Sequence, residues 1–136
     1  MMAAIAYELL DAPVIHGRAD EIAFETGLTY ATLLERVAAL AGALRNIGVA
    51  VDDRVSIELA HPHRVIAALA VARIGAVPGG GAEIRFVDSE DGPVMHFDGR
   101  VLAWDLVLRA GRNDPAEAIA SDPPGLAEIV RTYLPS

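Results

Sequence analysis

The sequence contains no cysteine and no lysine, because all eleven of its basic residues are arginine. Without cysteine the chain has no thiol nucleophile and no Cys-ligated zinc or iron–sulfur site. Without lysine it cannot form a Schiff base, and it has no phosphate-loop lysine and no lysine to stabilise an acyl-phosphate transition state. These two absences exclude several large classes of enzyme chemistry.

Clustered positive charge is also missing. Nineteen Asp and Glu outnumber the eleven arginines, which are spread evenly from Arg18 to Arg131, and the formal net charge is −8. Nucleic acids and anionic membrane surfaces are bound by grouped basic residues. We therefore expect neither a nucleic acid nor a membrane as a partner.

The hydrophobic and charge pattern of the sequence predicts neither a signal peptide nor a membrane-spanning segment. Residues 1–10 read MMAAIAYELL, which lacks the basic start of a signal peptide. The longest apolar stretch, Val65 to Val77, is interrupted by Arg73 and is too short to span a bilayer. The sequence therefore predicts a cytoplasmic protein.

Hydrophobic residue content, in contrast, is high. Such residues make up 53% of the 136 residues, against 22% charged residues, and this composition excludes a disordered chain. The length suits one domain, residues 1–136, which can bury a core without a metal or a disulfide.

The strongest secondary-structure signal is a long helix from Tyr30 to Ile47. Thr29 is a good N-cap, and Gly48 is a good C-terminal stop. Apolar residues recur between them at spacings of three and four, which is the period of one helix face. They are Leu33, Val37, Leu40, Leu44 and Ile47.

A strand, a helix and a second strand follow in close succession. Val55, Ile57 and Leu59 alternate with polar residues, which predicts a half-buried strand. A helix is expected from Pro62 to Ile74, capped by His61, and then a short strand at 76–78. Tight links of this kind predict a βαβ unit with parallel strands, and therefore a mixed α/β fold with flanking helices.

Gly79-Gly80-Gly81 marks a change of character, so residues 79–136 form a divergent second half. Asp98-Gly99 predicts a two-residue hairpin turn between two short strands. The remaining expected elements are helices at 3–10, 104–110 and 126–134, and strands at 22–25, 83–88, 94–97 and 100–103.

Residues 7–78 resemble the start of the adenylate-forming enzymes: acyl-CoA synthetases, adenylation domains of peptide synthetases, and luciferases. Four stretches carry the resemblance in order. They are ELLD at 8–11, RADEIAFETGLTYATLLERVAALAGALRNIGV at 18–49, DDRVSIEL at 52–59 and VIAALAVARIGAVP at 65–78. The resemblance implies the α/β fold of the N-terminal domain of that family, in which these stretches pack helices against a sheet.

The catalytic motifs of that family do not occur in this chain. Members carry a Ser/Thr/Gly-rich phosphate loop ending in Gly-x-Pro-Lys, an adenine motif, a ribose-binding Asp and a lid with a catalytic Lys. Gly79-Gly80-Gly81 is no substitute, because it lacks hydroxyl residues and a following Lys. We therefore expect no ATP-dependent ligase activity, no cofactor, and no catalytic or cofactor-binding residue.

The most site-like spot is His61-Pro62-His63. Two imidazoles at the start of a helix could share a metal ion, and His96 or Asp98 could join them in space. The simpler interpretation is that His61 caps the helix and His63 lies on its exposed first turn. The sequence therefore assigns no metal site, with His61, His63 and His96 as weak candidates.

Other candidate groups have simple structural interpretations. Asp52-Asp53, Asp88 to Asp91 and Asp98 could flank a substrate, but short acidic residues also belong in solvated loops. The four serines lie outside the Gly-x-Ser-x-Gly pattern of a nucleophile. Trp104 could line a pocket with Phe97 and Met95, although a lone Trp more often anchors a core.

The favoured hypothesis is a non-catalytic, truncated relative of the adenylate-forming enzymes that acts as a binding, scaffolding or regulatory partner. The alternatives are a small metal- or carboxylate-dependent hydrolase or isomerase on the same scaffold, or an inert folded remnant. Because a larger fold would cover part of its apolar surface, we expect a homodimer or a complex with a protein such as a full-length synthetase.

Overall fold

The described part of the chain, which in this computed structural model is residues 10–24, 26–80, 82–117 and 132, contains three α-helices and five β-strands. A short helical segment precedes them: residues 10–13 are helical and continue into a π-helical turn at Val14–Arg18, a stretch for which no helix was predicted beyond residue 10. None of the helices in these ranges is both long enough and apolar enough to cross a membrane. The helices are α1 (Tyr30–Asn46), α2 (His63–Arg73) and α3 (Trp104–Gly111). The strands are β1 (Arg54–Glu58), β2 (Val77–Pro78), β3 (Ile84–Ser89), β4 (Gly92–Phe97) and β5 (Arg100–Ala103).

Helix α1 confirms the predicted long helix to within one residue. The Thr29 hydroxyl accepts a hydrogen bond from the Thr32 N–H, which satisfies one of the free donors of the first turn. The helix ends before Gly48, whose φ of 102° is the left-handed conformation that glycine adopts cheaply. Four residues of the apolar stripe are fully buried: Leu33, Val37, Leu40 and Leu44.

The predicted βαβ unit is also confirmed. Strand β1 runs parallel to β2, with Arg54 opposite Val77 and Val55 opposite Pro78. The connecting helix α2 is buried along nearly its whole length, from Val65 to Arg73. A helix that is apolar all round requires cover on every side, and here the sheet and α1 supply it on two of them.

One sheet contains strands from both halves of the sequence, in the order β2-β1-β3-β4-β5. Strand β3 runs parallel to β1, and β4 runs antiparallel to both of its neighbours, β3 and β5. The change of character after residue 78 is therefore not a boundary in the structure, because strands from before and after it share one continuous mixed sheet. The predicted mixed α/β fold is confirmed.

The core lies between the helices and one face of the sheet. Val55, Phe86 and Met95 point to that face and are fully buried, while α1 packs against both α2 and α3. The backbones of α1 and α3 come so close that a Cβ at Gly111 would overlap the Ala39 carbonyl oxygen. Glycine is therefore required at this crossing.

The segment before α1 differs from the prediction. Residues 22–25 were expected to form a strand, but within the described residues only an isolated bridge joins Ile22 to Thr29, so that prediction is wrong. The Thr26 hydroxyl instead donates to the Ala23 carbonyl at 2.8 Å and accepts from the Leu28 N–H, which forms a tight turn. The predicted helices at 3–10 and 126–134 lie largely outside the described residues.

Candidate functional site

The carboxyl end of β1 is the point at which the sheet changes direction. From β1 the chain continues to β2 on one side, whereas from the adjacent parallel strand β3 it continues to β4 on the other, so the connections leave β1 and β3 toward opposite edges of the sheet. Open α/β sheets bind ligands at such points, in the crevice outside the carboxyl ends of the strands. Residues 59–62 follow β1 here, which places the His61-Pro62-His63 motif where a ligand site is expected.

The loop after β1 is held by the end of β3. The Ala60 N–H donates to a carboxylate oxygen of Asp88 at 2.8 Å. The His61–Pro62 peptide bond is cis, and Pro62 stands at the cap position of α2 without a side-chain cap bond. The predicted cap at His61 is therefore wrong, since the helix begins at His63.

The structure does not bring the three candidate histidines together. The His63 ring meets the Trp104 ring edge-on, with 5.2 Å between centroids, so His63 packs on the helix side of the sheet. His96 is paired with Arg85 and Val101 in the register of β4, and it lies on the opposite face from the buried Met95. Across the described ranges, no three His, Cys, Asp or Glu side chains are grouped to hold a metal ion.

The candidate carboxylates have local structural roles. Asp53 accepts from the Ala50 N–H at 2.8 Å, which closes the loop before β1. Asp52 and Asp98 have φ values of 72° and 53° and therefore occupy the tight-turn positions that Asp tolerates. Together with Asp88, these residues shape loops, and the geometry does not pair them as an acid and a base.

Trp104 is a core residue. It is buried and meets the Phe86 ring edge-on, with 5.8 Å between centroids. Phe97 lines a different feature, a cleft of about 360 Å³ at the amino end of β1 that also contains Arg54 and Glu83. The two aromatic residues therefore do not form the common pocket that the sequence allowed.

Sequence reasoning did not assign a role to Arg73, the only buried charged residue in the described segments. Its two terminal nitrogens donate to the two carboxylate oxygens of Asp11 at 2.8 and 3.0 Å, and its Nε donates to the Ala116 carbonyl at 2.6 Å. A bidentate pair of this kind is the strongest form of side-chain hydrogen bonding. The signal in the sequence that could have indicated this buried ion pair is that Arg73 is the single charged residue within the apolar run 65–77.

The apolar groove is a second surface feature. It is a cleft of about 260 Å³ between α1, α3 and the β4–β5 hairpin, and nearly all of its wall is apolar. Leu106 at its rim is 49% exposed. The groove is lined by Ala43, Asn46, Ile47, Met95, Leu102, Leu106, Val107 and Ala110.

Comparison with known families decides the ancestry of the chain. The family model described as "AMP-binding enzyme" matches residues 8–79, which is more than half of the chain. The chain belongs to the AMP-binding enzyme family. The matched segment contains α1, the whole βαβ unit, and both Asp11 and Arg73, so the salt bridge joins the two ends of the family segment.

The chain is similar to acetyl-coenzyme A synthetases, among other CoA synthetases. That of Mycobacterium tuberculosis is 32% identical, with 87% of this chain and 20% of the relative covered. That of Deinococcus radiodurans is 44% identical over 54% of this chain and 13% of the relative. A solved structure, an acetoacetyl-CoA synthetase from Streptomyces lividans, is 32% identical over 56% of this chain and 13% of that one, with a TM-score of 0.46. The chain spans a fifth or less of the length of these relatives.

Proposed function

We propose that this member of the AMP-binding enzyme family is a non-catalytic, cytoplasmic binding or scaffolding element that acts through contact with another protein. The observation that carries the proposal is the use made of Arg73. The only buried charged side chain in the described ranges donates two hydrogen bonds to Asp11 and one to the Ala116 carbonyl, and thereby ties three segments of the fold together. The buried charged group is thus used to hold the fold together, which supports a structural and not a catalytic role for it.

The other ionic groups near the family segment support the same role. The Asp53 and Asp88 carboxylates each accept a backbone N–H, so they hold loops at the two ends of β1. A hydrolase or isomerase built on His61, His63 and His96 is not favoured, because His63 packs on Trp104 while His96 lies on the other face of the sheet.

The partner that we propose is a second copy of the chain or an adenylate-forming protein such as a full-length synthetase. The apolar groove and the exposed Val101 and Leu106 side chains support a protein partner, since they are apolar surface that water covers in the isolated chain.

The test of the non-catalytic role is ATP–pyrophosphate exchange with acetate, a fatty acid, an amino acid and an aryl acid. The purified chain is expected to match the no-protein blank, because no lysine is available to stabilise an acyl-phosphate transition state. A full-length acetyl-CoA synthetase assayed in parallel shows that the assay works. Sustained exchange by the chain alone would contradict the proposal.

A further inference from the structure

Strand β5 forms a free edge of the sheet within the described residues. Asp98 and Gly99 have φ values of 53° and 73°, which is the two-residue type I′ turn that joins β4 to β5. In such a hairpin Phe97 and Arg100 exchange hydrogen bonds, and the bonded pairs then alternate along the strands. The N–H and C=O groups of Val101 and Ala103 therefore point away from β4, toward the edge.

The side chains of this edge are open to water. Arg100, Val101 and Ala103 are all exposed, and Val101 is 60% exposed. An unpaired edge that carries an exposed β-branched residue is a template for another strand. Nothing in the described part of the chain covers it.

We propose that β5 pairs with β5 of a second copy of this chain, antiparallel and about a two-fold axis at Leu102. In this register Val101 of each copy lies opposite Ala103 of the other, so both outward-facing residues form bonded pairs and four backbone hydrogen bonds result. An axis at Val101 would instead place Ala103 opposite Gly99 in the turn. The first register is therefore the one that satisfies the edge.

The side chains of the two copies complement one another in this register. The two Leu102 side chains meet on the axis, at the rim of the apolar groove that Leu102 and Leu106 line. Arg100 of one copy lies opposite Trp104 and next to Asp105 of the other. Neither Arg100 nor Asp105 has an ion-pair partner within the described ranges, so opposite charges are brought together twice.

The β5–β5 dimer rests on the proposed function only in taking protein contact as the role of the chain. The dimer and the non-catalytic role are tested by different measurements, so either can be refuted without the other. Light scattering reads association, whereas pyrophosphate exchange reads catalysis. A monomer without exchange activity would overturn the dimer alone, and a dimer with exchange activity would overturn the non-catalytic role alone.

The first experiment uses the absence of cysteine to read the register. In Leu102→Cys the two introduced thiols face each other in a non-bonded pair with Cα atoms about 4.5 Å apart, which a disulfide spans. In the matched variant Val101→Cys the two thiols are offset diagonally by more than about 7 Å, which it does not span. We expect an intermolecular disulfide in the first variant only. The reverse result, or no disulfide in either, would overturn the register.

The second experiment removes an edge donor without touching the β4–β5 ladder. Val101→Pro deletes an N–H that points away from β4, whereas Val101→Thr keeps it. Wild-type protein and Val101→Thr are expected at twice 14.3 kDa by light scattering at tens of micromolar. Val101→Pro is expected to weaken association by at least about tenfold, because each dimer loses two hydrogen bonds.

A charge swap covers the case in which Val101→Pro does not fold. Arg100→Asp and Asp105→Arg are each expected to weaken association, and the double variant is expected to restore it, because the proposed contact joins these two residues across the axis. A wild-type mass of 14.3 kDa at about 100 µM, or single and double variants that associate equally, would overturn the proposal.

Discussion

Removing the guanidinium of Arg73 is expected to destabilise the fold more than any other single charge deletion in the described residues. The side chains of Arg73 and Asp11 are only 7% and 15% exposed, and the Ala116 carbonyl depends on the same guanidinium. Arg73→Met keeps the aliphatic length but leaves a nearly buried carboxylate unpaired. Breaking a buried pair in this way costs about 3–5 kcal/mol, which is a large part of the stability of a typical domain.

The assay is urea unfolding followed by the fluorescence of Trp104, which is the only tryptophan and lies in the core. The protein concentration is kept constant, since association would add to the apparent stability. The matched control is Arg85→Met, because Arg85 pairs with Glu58 at 3.1 Å with both side chains at least 50% exposed. This control is expected to cost at most about 1 kcal/mol.

A second variant separates the loss of the pair from the cost of the orphaned charge. Replacing both partners, Asp11→Leu with Arg73→Met, is expected to recover part of the lost stability, because no unpaired carboxylate remains. A loss below about 1 kcal/mol for Arg73→Met alone, or a loss equal to that of Arg85→Met, would refute the structural role of the buried arginine.

Two further substitutions test the core and the helix crossing. Leu40→Ala is expected to lower the free energy of unfolding by about 2–5 kcal/mol, whereas Ile15→Ala, at an exposed position, should change it by less than about 0.5 kcal/mol in the same urea titration. Equal losses would contradict the assigned helix face. Gly111→Ala is expected to lower Tm by several degrees, because the added Cβ overlaps the Ala39 carbonyl oxygen, while Gly80→Ala, which meets open space, should leave Tm unchanged. The same Tm for both alanine variants in a thermal melt would show that the helices do not cross so closely.

Local signals explain which elements could be predicted. Helix α1 has a capping Thr29, an apolar stripe and a terminal Gly48, all within one continuous stretch, and its bounds were predicted to within one residue. The Asp98-Gly99 turn and the strands on either side of it were likewise predicted from neighbouring residues. The isolated bridge at Ile22 replaced a predicted strand, because the Thr26 side chain competes for the backbone groups of that segment.

The candidate site was less accessible to sequence reasoning. His63 begins α2 and His96 lies near the end of β4, but their positions relative to the sheet depend on register and on which face the helices cover. Successive side chains along β4 point to opposite faces of the sheet, so His96, next to the buried Met95, lies on the face away from Trp104. No spacing within the sequence specifies that choice.

The sequence by itself determined α1, α2 and α3, the strands of the βαβ unit, the hairpin and the family, because each depends on residues that are near one another in the chain or on an ordered set of motifs. Only the tertiary structure decided that Arg73 meets Asp11, 62 residues away, and that β3 joins β1 to make one sheet from both halves. Contacts of that kind form when apolar faces pack together, and packing is set by the shape of the whole fold.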